Sequence, residues 1–371
     1  MADLLKILAV NPGSTSTKVA LFEGNDPVFS ENIAHDAAKL AEFEDISDQF
    51  EYRKDMILEV LRTNKIELSD ADAFAANGGG LMSLLGGVYP VNDTLREHAR
   101  IGANGVKHPN ILAAQIIGAF SDKYGKPAFI VNPPDVDELT DLARVTGLKG
   151  IYRRSRAHPL NHKETAIRFA EARGKKYEDM NLIIAHIGGG VSVAAHEHGL
   201  IADQNDVVGG DGPMAPTRCG SVPVADVIDM CFSGKYSEKD IRDKMQKTGG
   251  FVDHLGTSDA LEVAARIEAG DRYAKLVFDA MIYQIGKSIG AMAVVMCGKI
   301  DGVILTGGIA HSDYLTKKIE NAVSWIAEVT VMPGESEMEA LAAGAIRVMT
   351  GKETPKEYTG IPAWNGFDFA K

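Results

Sequence analysis

Cysteine is scarce in this chain. Cys219, Cys231 and Cys297 are the three it has in 371 residues, and none forms a CxxC pair. A low, odd count excludes a disulfide-stapled scaffold and predicts free thiols in a reducing cytoplasm. Positive charge is also short: 39 Lys and Arg stand against 51 Asp and Glu, a formal net charge of −12. That balance argues against nucleic acid as the main partner, because neutralising phosphates takes clustered cations. No apolar run approaches the ~20 residues of a membrane span. The longest uncharged segment, Ala73 to Asn92, contains Gly78, Gly79, Gly80, Gly86, Gly87 and Pro90, and reads as strand plus glycine-rich loop. Met1 to Val10 carries Asp3 and lacks a basic start, so no signal peptide is expected. Both common nucleotide fingerprints, GxxxxGK[ST] and GxGxxG, are missing.

What remains has ordinary globular content, 45% hydrophobic and 24% charged, on a length that suggests two domains. Leu4 to Val10 is apolar and ends in Asn11-Pro12-Gly13-Ser14-Thr15-Ser16-Thr17-Lys18. Alternation then resumes through Val19 to Phe22. This predicts a hairpin with a small-residue tip, followed by a strand over Val28 to Ala34 and a helix over Ala37 to Asn64. The pattern returns in the second half. Leu182 to Ala185, then His186-Ile187-Gly188-Gly189-Gly190, then Val191 to Ala195 predict a second hairpin. Helices are expected over Asn161 to Arg173, with Asn161 as N-cap, over Ala274 to Cys297, and from a Ser336/Glu339 capping box to Met349. A buried strand is expected over Asp301 to Thr306. Strands alternating with helices make an α/β protein.

Three small-residue loops thus follow predicted strands: Asn11 to Lys18, Gly188 to Ser192, and Thr306 to Ile309. Small residues let backbone N–H groups approach an anion, and Ser14, Ser16, Thr17 and Lys18 add donors. One such loop is usually a tight turn; three at strand ends point to phosphate binding.

Ile7 to Lys18, His186 to Ser192, Leu305 to Ala310 and Glu337 to Ala345 resemble the phosphate, adenosine and connecting motifs of the acetate and butyrate kinases. Asp211-Gly212-Pro213, Arg218, Cys231 to Tyr236, Leu255-Gly256-Thr257, Ala280 to Gln284 and Pro333-Gly334-Glu335 are similar to the butyrate-kinase branch. The resemblance spans nearly the whole chain. It implies an α/β fold of two similar actin-like (ribonuclease H-like) domains with a central cleft. The expected division is 1–155, acceptor side, joined by the tail 351–371, and 156–350, nucleotide side. The implied reaction is reversible phosphoryl transfer from ATP to a short-chain fatty acid, with Mg²⁺, in a cytoplasmic homodimer.

By position, the resemblance places Asn11, Ser14, Ser16 and Lys18 at the reacting centre and His186 with Gly188, Gly189 and Gly190 at the ATP phosphates. Gly307 and Gly308 would line the adenosine pocket. Arg218 and His158 would stabilise the transferring phosphoryl group, and Glu337, or else Glu339, would be linked to magnesium. A carboxylate acceptor is already ionised at neutral pH, so no general base is expected; two anions must instead be held in line by cations and N–H donors.

Two positions depart from the family. Asn77-Gly78-Gly79-Gly80 has Gly78 where an arginine would meet the acceptor carboxylate, and Val131-Asn132-Pro133 has Asn132 where the family carries aspartate. Asn77, Gly78, Gly79 and Asn132 are the expected acceptor pocket. If the site is weakened, Gly78→Arg should lower the acid's KM and Asn132→Asp should raise turnover, unless Gly78 has a positive φ that an arginine would strain. Candidate compensators are Asp135, Asp137, Glu138, Arg153, Arg154 and the side-chain carbonyl of Asn132. Ala157 replaces a family phenylalanine. Two alternatives stand beside the leading reading: a nucleotide-binding protein with weak or no kinase activity, and a kinase of a branched or substituted acid.

Other conspicuous residues have plainer readings. His196 and His198 alternate around Glu197 beside a turn at Gly199 and are expected on the hairpin surface rather than as a metal pair. His158 and His162 lack a third ligand for zinc. The Met281 to Met296 helix reads as core packing, and Cys219 as a packed thiol.

Overall fold

The structure, a computed structural model, describes residues 4–367. Part of the leader reading (Met1 to Asp3) and of the tail (368–371) lies outside the described residues. The chain divides into two compact units, 1–137 with 336–371, and 138–335. The sequence reading puts these boundaries near 155 and 350. The second boundary moves because the helix Glu337–Met349 packs on the strands of the first unit, and the first because Glu138 and Arg153 bond to Lys163, Ile201 and Asp203.

The first unit is built on six strands: β1 (Lys6–Pro12), β2 (Ser16–Glu23), β3 (Asp26–Ala34), β4 (Ala73–Ala76), β5 (Val88–Pro90) and β6 (Ala128–Val131). Their order is β3-β2-β1-β4-β6-β5. The β1–β2 and β2–β3 pairs are antiparallel, and β4 and β6 continue parallel to β1. Alternate side chains point to opposite faces of a strand, and both faces here are covered. Leu8, Val10, Phe74 and Ile130 join Ile57, Leu61, Ile117 and Phe120 from the helices Phe50–Thr63 and Leu112–Tyr124. Against the sheet lies also Glu337–Met349, and its approach requires Gly344: a Cβ there would sit 2.6 Å from Val131.

The second unit repeats the plan. Its strands are β7 (Asn181–Ile187), β8 (Val191–Glu197), β9 (Leu200–Gln204), β10 (Gly302–Gly307) and β11 (Val329–Pro333), in the order β11-β10-β7-β8-β9. Again the first two pairs are antiparallel, and β10 and β11 run parallel to β7. Thus β3-β2-β1-β4-β6 and β9-β8-β7-β10-β11 match in order and sense, the duplicated actin-like arrangement. The helix Arg272–Val295 packs Phe278, Met281, Ile285 and Met292 against Ile183, Ala185 and Val193. The methionines there are core, as expected. Leu182, Ile184 and Ile304 on the opposite face meet Phe169 and Ala170 of the helix Pro159–Glu171.

Both hairpins and the third strand form where the alternation predicts. Three local expectations fail, each for a side-chain reason. The Ala37 to Asn64 helix is interrupted: it forms over Ala37–Leu40 and again over Phe50–Thr63. Between them Asp45 accepts the Ser47 N–H and closes a capping box with Asp48, which ends one helical run and starts another. Asn161 is not an N-cap. The helix starts two residues earlier with Pro159 at its first position, where proline's fixed φ suits it, and the Asn161 side chain pairs with His186 instead. Ser336 makes no capping hydrogen bond. Among the described residues no helix is long and apolar enough to cross a membrane, and the three cysteines are free.

Candidate functional site

In the first unit the β1–β2 turn is closed by Gly13 N–H donating to the Ser16 carbonyl at 2.7 Å. Asn11 and Lys18 face each other across the ladder, and Glu337 lies at both. Asn11 Nδ2 donates to Glu337 Oε2 at 2.9 Å, and Lys18 Nζ stands 3.9 Å from the same oxygen. Helix and hairpin therefore bring together three of the predicted residues from opposite ends of the chain.

The loop is held from behind by Arg53, which sequence reasoning missed. Arg53 is fully buried. Its Nη1 donates to the carbonyl of Gly13 at 2.8 Å, to Thr17 Oγ1 at 3.2 Å and to the Ser16 carbonyl at 3.4 Å; Nη2 donates to the Ser14 carbonyl at 3.3 Å. Nε donates to Gln49 Oε1 at 3.0 Å. Burial pulls its pKa down to about 10, so it stays charged at neutral pH. A readable signal existed: Arg53, Ile57 and Leu61 form one buried i, i+4, i+8 stripe. By drawing loop carbonyls inward, the guanidinium leaves the exposed Ser14 and Lys18 on the outer side of the turn. His108, also missed, stands with Nε2 3.3 Å from Ser14 Oγ while its Nδ1 accepts the Asn110 N–H.

The expected acceptor-pocket residues are buried or half-buried at the ends of β4 and β6. Gly78, Gly79 and Gly80 have φ of 76°, 156° and 74°. A Cβ at Gly78 would lie 2.9 Å from Ile130, and one at Gly79 would lie 2.3 Å from the Asn110 amide. Asn77 Oδ1 and Asn110 Oδ1 are buried without a hydrogen-bond partner. Asn132, at φ 38° and 3% exposed, accepts the Gly87 N–H at 2.7 Å through Oδ1 and donates its own N–H to the Gly87 carbonyl. One lone pair of its side-chain carbonyl is thus used by the fold.

Other expected compensators are committed too. Asp135 accepts the Leu81 N–H at 3.2 Å and Asn104 Nδ2 at 2.5 Å, and burial raises its carboxyl pKa to about 7. Glu138 pairs with Lys163 at 2.8 Å and accepts the Ile201 N–H. Arg153 pairs with Asp203 at 2.7 Å and with Asp211 at 3.1 Å.

In the second unit, Gly188, Gly189 and Gly190 make the whole β7–β8 turn, closed by the Gly188 N–H to the Gly190 carbonyl at 3.0 Å. Arg218 lies on it: a Cβ at Gly190 would sit 1.7 Å from Arg218 Nη1, so a side chain there would displace the guanidinium from the turn. That Nη1 is buried and has no hydrogen-bond partner. Desolvation lowers the Arg218 pKa, opposed by Asp206, whose carboxylate is itself clasped by Arg156 at 2.6 Å. Thr217 Oγ1 donates to the Gly189 carbonyl and ties the two segments together.

Beside the turn, the rings of His158 and His186 lie 4.3 Å apart between centroids, tilted by 31°. His186 Nδ1 donates to Asn161 Oδ1 at 2.9 Å, its Nε2 is 3.9 Å from Glu335 Oε1, and burial brings its pKa down to about 4. His158 Nδ1 is 2.8 Å from Ser192 Oγ; burial and the neighbouring His186, His162 and Arg218 hold its pKa well below the usual imidazole value. Both rings are therefore neutral at physiological pH. Gly307 closes β10 with φ 93°, and a Cβ there would meet Ile187 backbone atoms at 2.4 Å, while Gly308 opens onto free space. His196 corrects the surface reading: it is fully buried, because β8 lies between β7 and β9 with both faces covered and its imidazole meets His162 and Tyr177, whereas His198 lies past the strand's end in the turn and is exposed.

The second unit thus gathers Arg218, His158, His186 and the glycine turn, and the first gathers Asn11, Lys18 and Glu337. Arg218, the N–H groups of the turn and Lys18 are donors and cations that can hold anionic oxygens, and Glu337 is a carboxylate that can face a cation.

Comparison with known proteins agrees with this chemistry. Residues 140–331 match the model of the acetokinase family. The chain is 44% identical over 353 residues to a probable butyrate kinase of Clostridium botulinum, covering 95% of this chain and 99% of that one. The crystal structure of Porphyromonas gingivalis acetate kinase superposes with a TM-score of 0.75 at 20% identity, over 93% of this chain and 99% of that one. A propionate kinase from Francisella tularensis gives 0.71 at 18% identity, over 92% and 98%. At these identities the two crystal structures speak to the fold alone.

Proposed function

Because the chain belongs to the acetokinase family, we propose that it transfers a phosphoryl group reversibly between ATP and a short-chain fatty acid, with butanoate as the preferred acid, giving an acyl phosphate and ADP. The observation that carries this reading is Arg218, a buried guanidinium N–H without a partner, laid against the Gly188–Gly190 turn. An unsatisfied buried donor is costly, and an anionic oxygen is its natural complement.

In this reading the N–H groups of the glycine turn receive the ATP phosphates, with the neutral His186 ring packed beside them, and Gly307 and Gly308 receive the adenosine. Arg218 and the neutral imidazole of His158 donate to the equatorial oxygens as charge spreads in the transition state. Asn11, Ser14, Ser16 and Lys18 orient the reacting groups. Asn77, Gly78, Gly79 and Asn132 shape the surroundings of the acid through backbone. The acid arrives as a carboxylate, so the attacking oxygen needs no base.

The residues present fit magnesium of the kind held by one or two carboxylates plus substrate phosphates. Glu337, half-buried and oriented by Asn11, supplies such a carboxylate, whereas Asn132 is neutral and already holds the Gly87 N–H. When bound, the ion supplies neutralisation of phosphate charge. Among the described residues no cluster of three or more His, Cys, Asp or Glu forms an all-protein metal site.

A cytoplasmic homodimer belongs to the same reading. The helix Val224–Phe232 buries none of its residues, and Phe232 is 86% exposed, in keeping with a subunit contact. Trapping acyl phosphate with hydroxylamine across acetate, propionate, butyrate and isobutyrate tests the function. Butyrate should give the highest kcat/KM. ATP binding without acyl phosphate from any acid would overturn the reading in favour of a nucleotide-binding role, which 44% identity over nearly the whole chain disfavours.

A further inference from the structure

Behind His158 lies an unbroken line of buried hydrogen bonds in the second unit. Ser192 Oγ is 2.8 Å from His158 Nδ1 and 2.7 Å from His162 Nε2. His162 Nδ1 is 3.2 Å from His196 Nε2, and His196 Nδ1 is 2.6 Å from the Tyr177 hydroxyl. Ser192, His162 and His196 are fully buried and Tyr177 is 5% exposed. Each neutral imidazole has one donor and one acceptor nitrogen, and each hydroxyl has one proton. Ser192 Oγ could accept from both rings, but its own proton would then have no acceptor among the described residues; one proton therefore occupies each link, and all point the same way.

The interior of the line is satisfied equally by either polarity. The two differ at the ends. If His196 donated to Tyr177, the phenolic proton would need another acceptor. Among the described residues His196 Nδ1 is the one hydrogen-bond partner of that hydroxyl, which sits in an apolar cluster with Phe169, Met180 and Leu182. A buried donor left unpaired is unfavourable, so Tyr177 donates. The proton of every following link is then determined: His196 Nε2–H to His162 Nδ1, His162 Nε2–H to Ser192 Oγ, Ser192 O–H to His158 Nδ1.

We infer that Tyr177, His196, His162 and Ser192 are positioning residues whose polarised hydrogen-bond line fixes His158 as its Nε2–H tautomer. The line thereby presents a neutral N–H to the transferring phosphoryl group. This rests on the proposed role of His158 at that group. With the opposite tautomer the same ring would present a lone pair to an anion, which repels it.

The charges around the line keep it neutral. Lys163 Nζ stands 5.5 Å from the Tyr177 ring centroid, paired with Glu138 and with the Gly199 carbonyl. Its cation opposes a proton on His196, and Arg218 does the same at His158. Burial is the larger cause for all three histidines. His186 is polarised the other way, because the Asn161 oxygen can only accept and holds the proton on Nδ1.

The test is a long-range ¹H–¹⁵N spectrum of the imidazoles in the full ¹⁵N-labelled protein at neutral pH, with no substrate. His158, His162 and His196 should each carry the proton on Nε2, and His186 on Nδ1. In Tyr177→Phe, which keeps the ring and removes the terminal donor, His158 should become a mixture of tautomers. Its kcat should fall roughly tenfold with the KM for ATP within about twofold. Ser192→Ala cuts the line at its last link and should release the His158 tautomer in the same way, should the first variant fold poorly. A wild-type His158 protonated on Nδ1, or a Tyr177→Phe protein whose His158 stays wholly Nε2–H, overturns the inference. Acid-kinase activity appears in neither of those outcomes, so the fate of the proposed reaction is separate. A shifted tautomer with unchanged kcat would overturn the link between the line and phosphoryl transfer.

Discussion

The side-chain oxygen of Asn132 accepts the backbone N–H of Gly87 at 2.7 Å, and the Asn132 N–H returns a bond to the Gly87 carbonyl at 2.9 Å. The asparagine therefore fastens one turn of the first unit. An aspartate in its place would keep the acceptor but bury a charge at a site 3% exposed. Asn132→Asp should cost about 2 kcal/mol of stability and leave turnover within about twofold. Thermal melts and steady-state kinetics check this; a several-fold gain in turnover would restore the aspartate role suggested by the family resemblance.

Gly78→Arg should likewise fail to improve use of the acid. Its φ of 76° is strained for any side chain, and the new Cβ would meet Ile130 at 2.9 Å. The expected cost is about 1–3 kcal/mol, seen as a lower melting temperature, with no fall in the acid's KM. A lower KM in a stable variant would show that the loop opens to admit the arginine.

Arg53 has a larger predicted effect than any residue of the loop it holds. Arg53→Met would leave the carbonyls of Gly13 and Ser14 and the Thr17 hydroxyl without their shared donor. A loss of about 3 kcal/mol is expected. Arg53→Lys keeps the charge but lacks the planar fork, so it should rescue only part of the stability. Chemical denaturation of the three proteins checks the order wild type, lysine, methionine.

Asp135 makes stability fall with rising pH. Burial holds its carboxyl at about 7 against an ordinary 3.8, so the native state keeps a proton that the unfolded chain has lost. The stabilisation is complete below the unfolded value and is lost as pH rises through the native one, at about 1.4 kcal/mol per unit. Asp135→Asn should flatten the pH dependence between about 4 and 7 and melt higher than wild type at pH 8. Melting temperatures of both proteins across that window decide it.

Arg218→Ala should lower turnover at least about 100-fold while ATP binding changes little, because the guanidinium acts on charge that develops during transfer. Initial-rate kinetics with a parallel nucleotide titration separate the two effects. Weakened ATP binding with unchanged turnover would assign Arg218 to ground-state binding instead.

The hairpins Lys6–Glu23 and Asn181–Glu197 and the long helix Arg272–Val295 were legible in the sequence, because alternation and helical period are local properties of the chain. Asn11, Arg218 and His158 are candidates through the family resemblance, which local sequence carries. Tertiary structure decided what contiguity does not record. The buried stripe that holds Arg53 is local, but the Gly13 carbonyl it serves lies 40 residues away, and His196 reads as surface until His162 and Tyr177 close over it. Asn132 reads as a weakened ligand until Gly87, 45 residues away, claims its oxygen. The proton on His158 is decided at Tyr177, through partners 34, 30 and 34 residues apart along the line. Hydrogen-bond direction is settled only when every buried donor must find an acceptor, and that requirement exists only once the chain has folded and excluded water.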